Sequence, residues 1–165
     1  MGSFADSIKA NIKALQQEVN DKVVDVFVET SLSVVHLTPS PSWIGTTRGA
    51  SPSQPEYTDG LLANQWYPAE NKFSEEETES KSDNGADSIT RIEVMKSSKV
   101  FVAKDGYLSL TNNVPYAYRV DTLGYPQGKA EVIQGYGDWS YWNGSHSTPY
   151  AMVDTSIAKT KAKIG

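Results

Sequence analysis

Apolar side chains recur along the first part of the chain at Phe4, Ile8, Ile12, Leu15, Val19, Val23, Val26, Phe27, Val34 and Leu37, at mixed spacings of three and four. That rhythm matches the turn of an α-helix and predicts one long helix over residues 3–37. Ser3 is placed to cap its start, Asp6 puts a carboxylate in the first turn, and Pro39 ends it by disfavouring helical geometry at Thr38. Such a helix would span roughly 50 Å at 1.5 Å per residue, more than a compact domain of this size uses, so part of it is expected to bend or to lie against something else. The β-branched run Val23, Val24, Val26, Val28 and Thr30 has weak helix propensity and marks 20–30 as the place for a break.

Beyond Thr38 the pattern dissolves. Pro39, Pro41, Pro52, Pro55 and Pro68 punctuate a stretch rich in Ser, Gly and Thr that reads as loop, with residues 40–57 at its centre. Trp43, Ile44, Tyr57, Leu61, Leu62, Trp66 and Tyr67 are too apolar for a free linker, so parts of the stretch are expected to dock on the body or on a partner. Asp59-Gly60 is a turn signal, and the residues up to Trp66 fit one or two helical turns or a short strand. Residues 69–87 are acidic, with Glu75, Glu76, Glu77 and Glu79 close together, and read as a solvated flexible loop. Their spacing does not match a calcium-binding loop. Ile89, Ile92, Val94 and Met95 are compatible with a helix or a strand.

Residues 99–120 read as the β-rich core, because two β-prone runs flank Asp105-Gly106, a hairpin or connection signal, and aromatics then alternate through Tyr116 and Tyr118. Pro115 belongs at the start of an element. Residues 121–147 read as an aromatic, glycine-rich loop or an irregular hairpin with Tyr125, Tyr136, Trp139, Tyr141 and Trp142. Residues 148–164 are expected to be helical, with Thr148 as N-cap, Pro149 at the first position and Lys159, Lys161 and Lys163 near the end. The sum is one α+β domain over residues 1–165: a small, mainly antiparallel β-sheet packed against a long N-terminal helix and a C-terminal helix, with long loops.

Composition narrows the chemistry. The 165 residues include no cysteine and two histidines, and carry a net charge of −5. Disulfide scaffolds, thiolate metal sites, a cysteine nucleophile and histidine-rich metal sites are excluded, and no metal or cofactor is expected. The acidic balance argues against a general nucleic-acid binder. The expectation is a soluble protein made in a cytoplasm, with no membrane span and no signal peptide. No nucleophile elbow, phosphate-binding loop, dinucleotide fingerprint or zinc-protease motif is present. His36 reads as a partner for helix C-terminal carbonyls. A different class of function, a carbohydrate-binding or hydrolytic module, would use the aromatic loop with Asp121, Glu131, Asp138 or His146. The aromatics from Tyr116 to Trp142 read more readily as core or protein interface than as a stacking platform.

The order of pieces is informative. Thr38-Pro39 ends the first helix; Thr58-Asp59-Gly60 leads to Asn64 and Trp66; Tyr107 through Ala117 contains Thr111-Asn112-Asn113-Val114-Pro115-Tyr116-Ala117; and Pro149 through Val153 opens the last helix. This succession resembles the tail-completion and neck proteins of tailed bacteriophages, the group of the lambda protein Z-like and HK97 tail-completion families. There a helix commonly ends in Thr-Pro-Val-Asp-Thr-Gly followed by Asn-Trp, and a strand runs into Thr-Asn-Asn-x-Pro-Tyr-Ala. In this chain residues 40–57 split the first motif, Gln65 separates Asn64 from Trp66, and Ala151 stands where glycine is usual.

The resemblance implies a non-enzymatic virion protein at the head-tail junction, assembled in the host cytoplasm as a ring, a hexamer, that caps the tail tube and joins it to the head connector. Its partners would be further copies of itself, the tail tube or tail terminator protein, the portal-side connector, and passing DNA held without specific binding. Thr38, Pro39, Asp59, Gly60, Asn64, Trp66, Thr111, Asn112, Asn113, Pro115, Tyr116 and Ala117 would be scaffold: Asp59-Gly60 turns the chain, Trp66 and Tyr116 supply large buried surfaces, and Asn112-Asn113 reads as a turn that tolerates unusual dihedrals. Trp43, Tyr57, Trp139, Tyr141 and Trp142 are the interface candidates, and Glu75, Glu76, Glu77 and Glu79 are placed to face the lumen. A minor capsid or head-completion protein is the neighbouring alternative.

Overall fold

The computed structural model describes residues 4–38, 61–80, 83–98, 100, 102–103, 105–114, 117–123 and 150–164. Helix α1 runs unbroken over Phe4–Leu37, 34 residues. The break expected at 20–30 does not occur, and burial supplies the reason. Val24 and Val28, one turn apart, are buried in the core. Burying a valine side chain is worth about 1.5 kcal/mol or more, which exceeds the few tenths it loses in helix propensity. The helix stops where Thr38-Pro39 predicted: the Thr38 N–H donates to the carbonyls of Val34 and Val35, both at 3.0 Å, and Thr38 Oγ1 donates to the Val34 carbonyl at 2.8 Å. The expected cap Ser3 and the stop Pro39 lie outside the described residues.

A single helical turn, α2 (Leu61–Asn64), leads through Gln65 into strand β1 (Trp66–Glu70). After residues 71–80 comes a 3₁₀ turn at Asp83–Gly85 and then α3 (Ala86–Ser97), so the 88–96 segment is helical. Strand β2 (Leu108–Asn112) pairs antiparallel with β1, Trp66 opposite Asn112 and Glu70 opposite Leu108. Helix α4 (Ala117–Leu123) follows, and α5 (Met152–Ile164) is the last element. The architecture is α+β, a long N-terminal helix and a C-terminal helix with a small antiparallel sheet.

Several boundaries differ from those expected. The acidic loop 69–87 gives its first two residues to β1 and its end to the 3₁₀ turn and α3. The β-rich core 99–120 contains one strand among the described residues, β2, whose partner lies some forty residues upstream and not across Asp105-Gly106. Residues 100, 102 and 103 form no ladder. Asn20 on α1 holds that segment with its side chain alone: Nδ2 donates to the Val100 carbonyl at 2.9 Å, and Oδ1 accepts the Val102 N–H at 2.7 Å. One amide thereby satisfies the two backbone groups that a neighbouring strand would have engaged. Residues 117–123 are helical because Val114, Ala117 and Val120, three apart, are all buried, and that spacing outweighs the alternation of Tyr116 and Tyr118.

The C-terminal helix begins at Met152 instead of 148. Ala151 sits at φ 45° immediately before it, and the first turn is capped from a distance. The Ala151 N–H donates to the Asp121 carbonyl at 2.9 Å, and the Met152 N–H donates to Asp121 Oδ1. Thr148 and Pro149 lie outside the described residues. Helix α5 packs along the C-terminal half of α1, where Thr30 Oγ1 meets Thr160 Oγ1 at 2.9 Å and Lys163 pairs with Glu29. The core joins Val24, Val28, Val34 and Val35 of α1 to Leu62, Trp66, Ile92, Val114, Val120 and Met152. No helix among the described residues is long and apolar enough to cross a membrane.

Candidate functional site

The polar residues of the recognised motifs converge around Trp66. Its indole Nε1 donates to Thr38 Oγ1 at 2.9 Å, and its backbone N–H donates to Ser88 Oγ at 3.0 Å. The ring is thus fixed to the end of α1 while its peptide group is fixed to the first turn of α3. Asn64, fully buried, accepts the Asp87 N–H on Oδ1 at 3.1 Å and so satisfies one of the donors that a helix N-terminus leaves open. The Asn64 carbonyl accepts Arg91 Nη1 at 2.7 Å. The same guanidinium lies 4.1 Å from the centre of the Tyr67 ring, a cation–π contact. Burial pushes the Tyr67 hydroxyl above its ordinary pKa of 10, with Arg91 pulling in the opposite direction.

Asn112 and Asn113 make no use of the unusual dihedrals they could tolerate: the non-glycine residues with positive φ among the described ones are Asn71, Asn84 and Ala151. They act through their amides instead. Asn112 Nδ2 donates to the Leu62 carbonyl at 2.9 Å, and Oδ1 accepts the Val114 N–H at 3.1 Å. Asn113 Nδ2 donates to the carbonyls of Ser74 and Glu76 at 3.0 and 2.7 Å.

These last bonds tie down the acidic segment. Gln65 mirrors Asn113 from β1's side: Nε2 donates to the Thr78 carbonyl and Oε1 accepts the Thr78 N–H at 3.2 Å. Ser109 Oγ donates to the Lys72 carbonyl. Residues 71–80 therefore form a strap across the sheet face that presents Tyr67, Ala69, Ser109 and Thr111, while Trp66, Leu108 and Leu110 face the helices. A two-stranded sheet needs cover on its faces to be stable, and the strap supplies one of them. Thr111 Oγ1 is buried there without a hydrogen-bond partner. The segment read as a flexible loop is thus fastened at Lys72, Ser74, Glu76 and Thr78, with Glu75, Glu76, Glu77 and Glu79 pointing outward and exposed.

Of the scaffold residues taken from the motif, Thr38, Asn64, Trp66, Asn112 and Asn113 meet in this network, Ala117 lies in the core at the start of α4, and Thr111 lies under the strap. Pro39, Asp59, Gly60, Pro115 and Tyr116 lie outside the described residues, as do Trp43, Tyr57, Trp139, Tyr141, Trp142, Glu131, Asp138 and His146. His36 is exposed in the last turn of α1. Asp121, a candidate carboxylate for hydrolysis, is engaged by the Met152 N–H as a helix cap. Among the described residues no group of three or more His, Asp or Glu gathers as a metal site would require.

Asn20, Gln65, Ser88 and Arg91 were not singled out by sequence reasoning. Asn20 alone carried a signal: it stands one turn before Val24 and Val28 on the buried row of α1, where a polar residue is expected only with hydrogen-bond partners. No family model, curated protein or solved structure matches the chain.

Proposed function

We propose that this chain is a structural virion protein of a tailed bacteriophage, a tail-completion or neck protein that forms a hexameric ring at the head-tail junction, caps the tail tube and joins it to the head connector. The observation that supports the reading is the network around Trp66. Thr38, Asn64, Trp66, Asn112 and Asn113 are among the residues that carry the resemblance, they are scattered over some 75 positions, and they bond to one another's elements. Their polar atoms are spent on backbone groups and on each other, which suits a scaffold. Assembly would then proceed by surface complementarity around a closed axis. The exposed acids of the strap suit a lumen through which DNA passes without adhering.

Deletion of the gene from a phage that encodes it tests the reading. DNA-filled heads and separate, complete tails in the electron microscope are expected. Particles that join normally would overturn the proposal, and defective heads would transfer it to a head-completion role.

A further inference from the structure

Helix α1 carries two apolar rows. One faces the core; the other, formed by Phe4, Ile8, Ile12, Leu15, Val19 and Val23, is 42–83% exposed. The bare row steps by 4, 4, 3, 4 and 4 residues, an eleven-residue repeat that holds nearly one line along an α-helix and suits packing against another helix. Continued, the repeat reaches Val26, Thr30, Val34 and Leu37. There it is half-buried to buried, because α5 lies beside it, with Thr160 on Thr30 and Lys163 on Glu29. Helix α5 ends at Ile164. A seam that begins as a packed helix pair therefore runs out onto bare surface for the remaining five turns of α1.

We propose that the bare half of this seam seats a second copy of the chain, its α1 laid antiparallel on the first. The spacing is the same read in either direction, so an antiparallel pair centred between Ile12 and Leu15 sets Phe4 against Val23, Ile8 against Val19, and Ile12 against Leu15. The largest side chain then meets one of the smallest. A parallel pair would fail beyond Val23, since the second α1 would need the space that α5 occupies beside Glu29 and Thr30. In the antiparallel pair the second helix begins opposite Val23, just short of α5, and its own core lies beyond the first copy's Phe4. Its N-terminus, the positive end of its dipole, then approaches the negative C-terminal end of α5. The exposed part of the six residues comes to about 600 Å² a copy, so full burial of both rows removes up to about 1,200 Å², at the lower edge of stable interfaces.

This pair is a form of the free chain and does not rest on the head-tail reading. A two-fold interface closes on itself and does not propagate around a ring, so ring formation would use other faces or follow opening of the pair.

The absence of native cysteine makes the test direct. Sedimentation equilibrium of the purified full chain is expected to show a dimer with a Kd near or below about 1 µM. Ile12→Glu and Leu15→Glu, both at exposed positions, are expected to weaken it at least about a hundredfold while leaving the circular dichroism spectrum unchanged. Phe4→Cys chains mixed with Val23→Cys chains are expected to cross-link to each other through a short bis-maleimide, and Phe4→Cys chains alone to remain uncoupled. A monomer at about 100 µM, well above that Kd, would overturn the proposal. So would an oligomer that Ile12→Glu leaves intact, or coupling of Phe4→Cys chains to one another, the mark of a parallel pair.

Discussion

Trp66 and Thr38 share one hydrogen bond, indole Nε1 to hydroxyl Oγ1 at 2.9 Å, and the same hydroxyl closes the last turn of α1 by donating to Val34. The hydroxyl's proton and lone pair are both used, so the start of β1 and the end of α1 depend on one side chain. Thr38→Val leaves a buried indole N–H unpaired and is expected to lower stability by about 1–3 kcal/mol. Thr38→Ser keeps the oxygen and should lose much less. In a double-mutant cycle with Trp66→Phe, urea unfolding should return a coupling of about 1 kcal/mol, since each single change already breaks the shared bond. Strict additivity would show the bond to be energetically silent.

Gly85 holds φ at 71° where the chain turns into α3, and a Cβ there would stand 2.6 Å from Val35 Cγ1 and 2.8 Å from the Ala63 carbonyl oxygen. Gly85→Ala therefore meets two obstacles at once, a left-handed backbone and a backbone carbonyl that cannot swing aside. A loss of about 2–4 kcal/mol is expected, above the roughly 1 kcal/mol that the dihedral alone would exact. A shift in urea midpoint worth less than 1 kcal/mol would mean that α1 and α2 yield more easily than their packing implies.

The strap makes a local prediction. Asn113→Ala removes the donors to Ser74 and Glu76, and Gln65→Ala removes both bonds to Thr78. Amide hydrogen exchange at Thr78 should accelerate in Gln65→Ala by at least about tenfold, the equivalent of about 1.4 kcal/mol of lost protection, while the amides of α1 stay protected. Equal acceleration in both places would make the strap part of the global unfolding unit.

Asp121 acts as the cap of α5 across a gap in sequence. Asp121→Ala is expected to destabilise by about 1 kcal/mol, with Asp121→Asn retaining most of the stability because the amide oxygen still accepts the Met152 N–H. A cap tolerates that exchange, whereas a hydrolytic carboxylate would not.

Tyr150, where the chain meets α4 before entering α5, has its hydroxyl pushed up to about 12 by burial. In the unfolded chain it ionises near 10. Between those values the unfolded state gives up a proton that the folded state keeps, so stability is fully present below pH 10 and falls as pH rises toward 12. Tyr150→Phe should flatten that decline. Phenolate absorbance titration of the wild type should show a late-ionising tyrosine that is lost in Tyr150→Phe, and a Tyr150 phenolate appearing at its ordinary value would contradict the burial.

Much of the helical framework and the presence of a small antiparallel sheet were legible in the order of residues, and the pairing of its strands was not. Helix α1 and its stop at Thr38 follow from side chains three or four apart and from one proline, because helical hydrogen bonds join residues only four apart. The terminal helix was visible for the same reason, although its start moved to Met152, where Asp121 supplies the cap. Strand pairing has no such local signature. Leu108 finds Glu70 and Asn112 finds Trp66, and only the packed core selects that partner over the nearer Val100 and Val102, whose backbone Asn20 engages instead.

Composition and periodicity by themselves determined the α+β class, the long first helix, and the absence of thiol chemistry. Only the tertiary structure decided that α1 is continuous, that the acidic segment is a strap, and that Asn64, Asn112 and Asn113 serve as hydrogen-bonding joints. Burial and polar satisfaction are properties of surfaces brought together from distant parts of the chain. An amide whose partners are open in sequence has one set of them once its neighbours are in place.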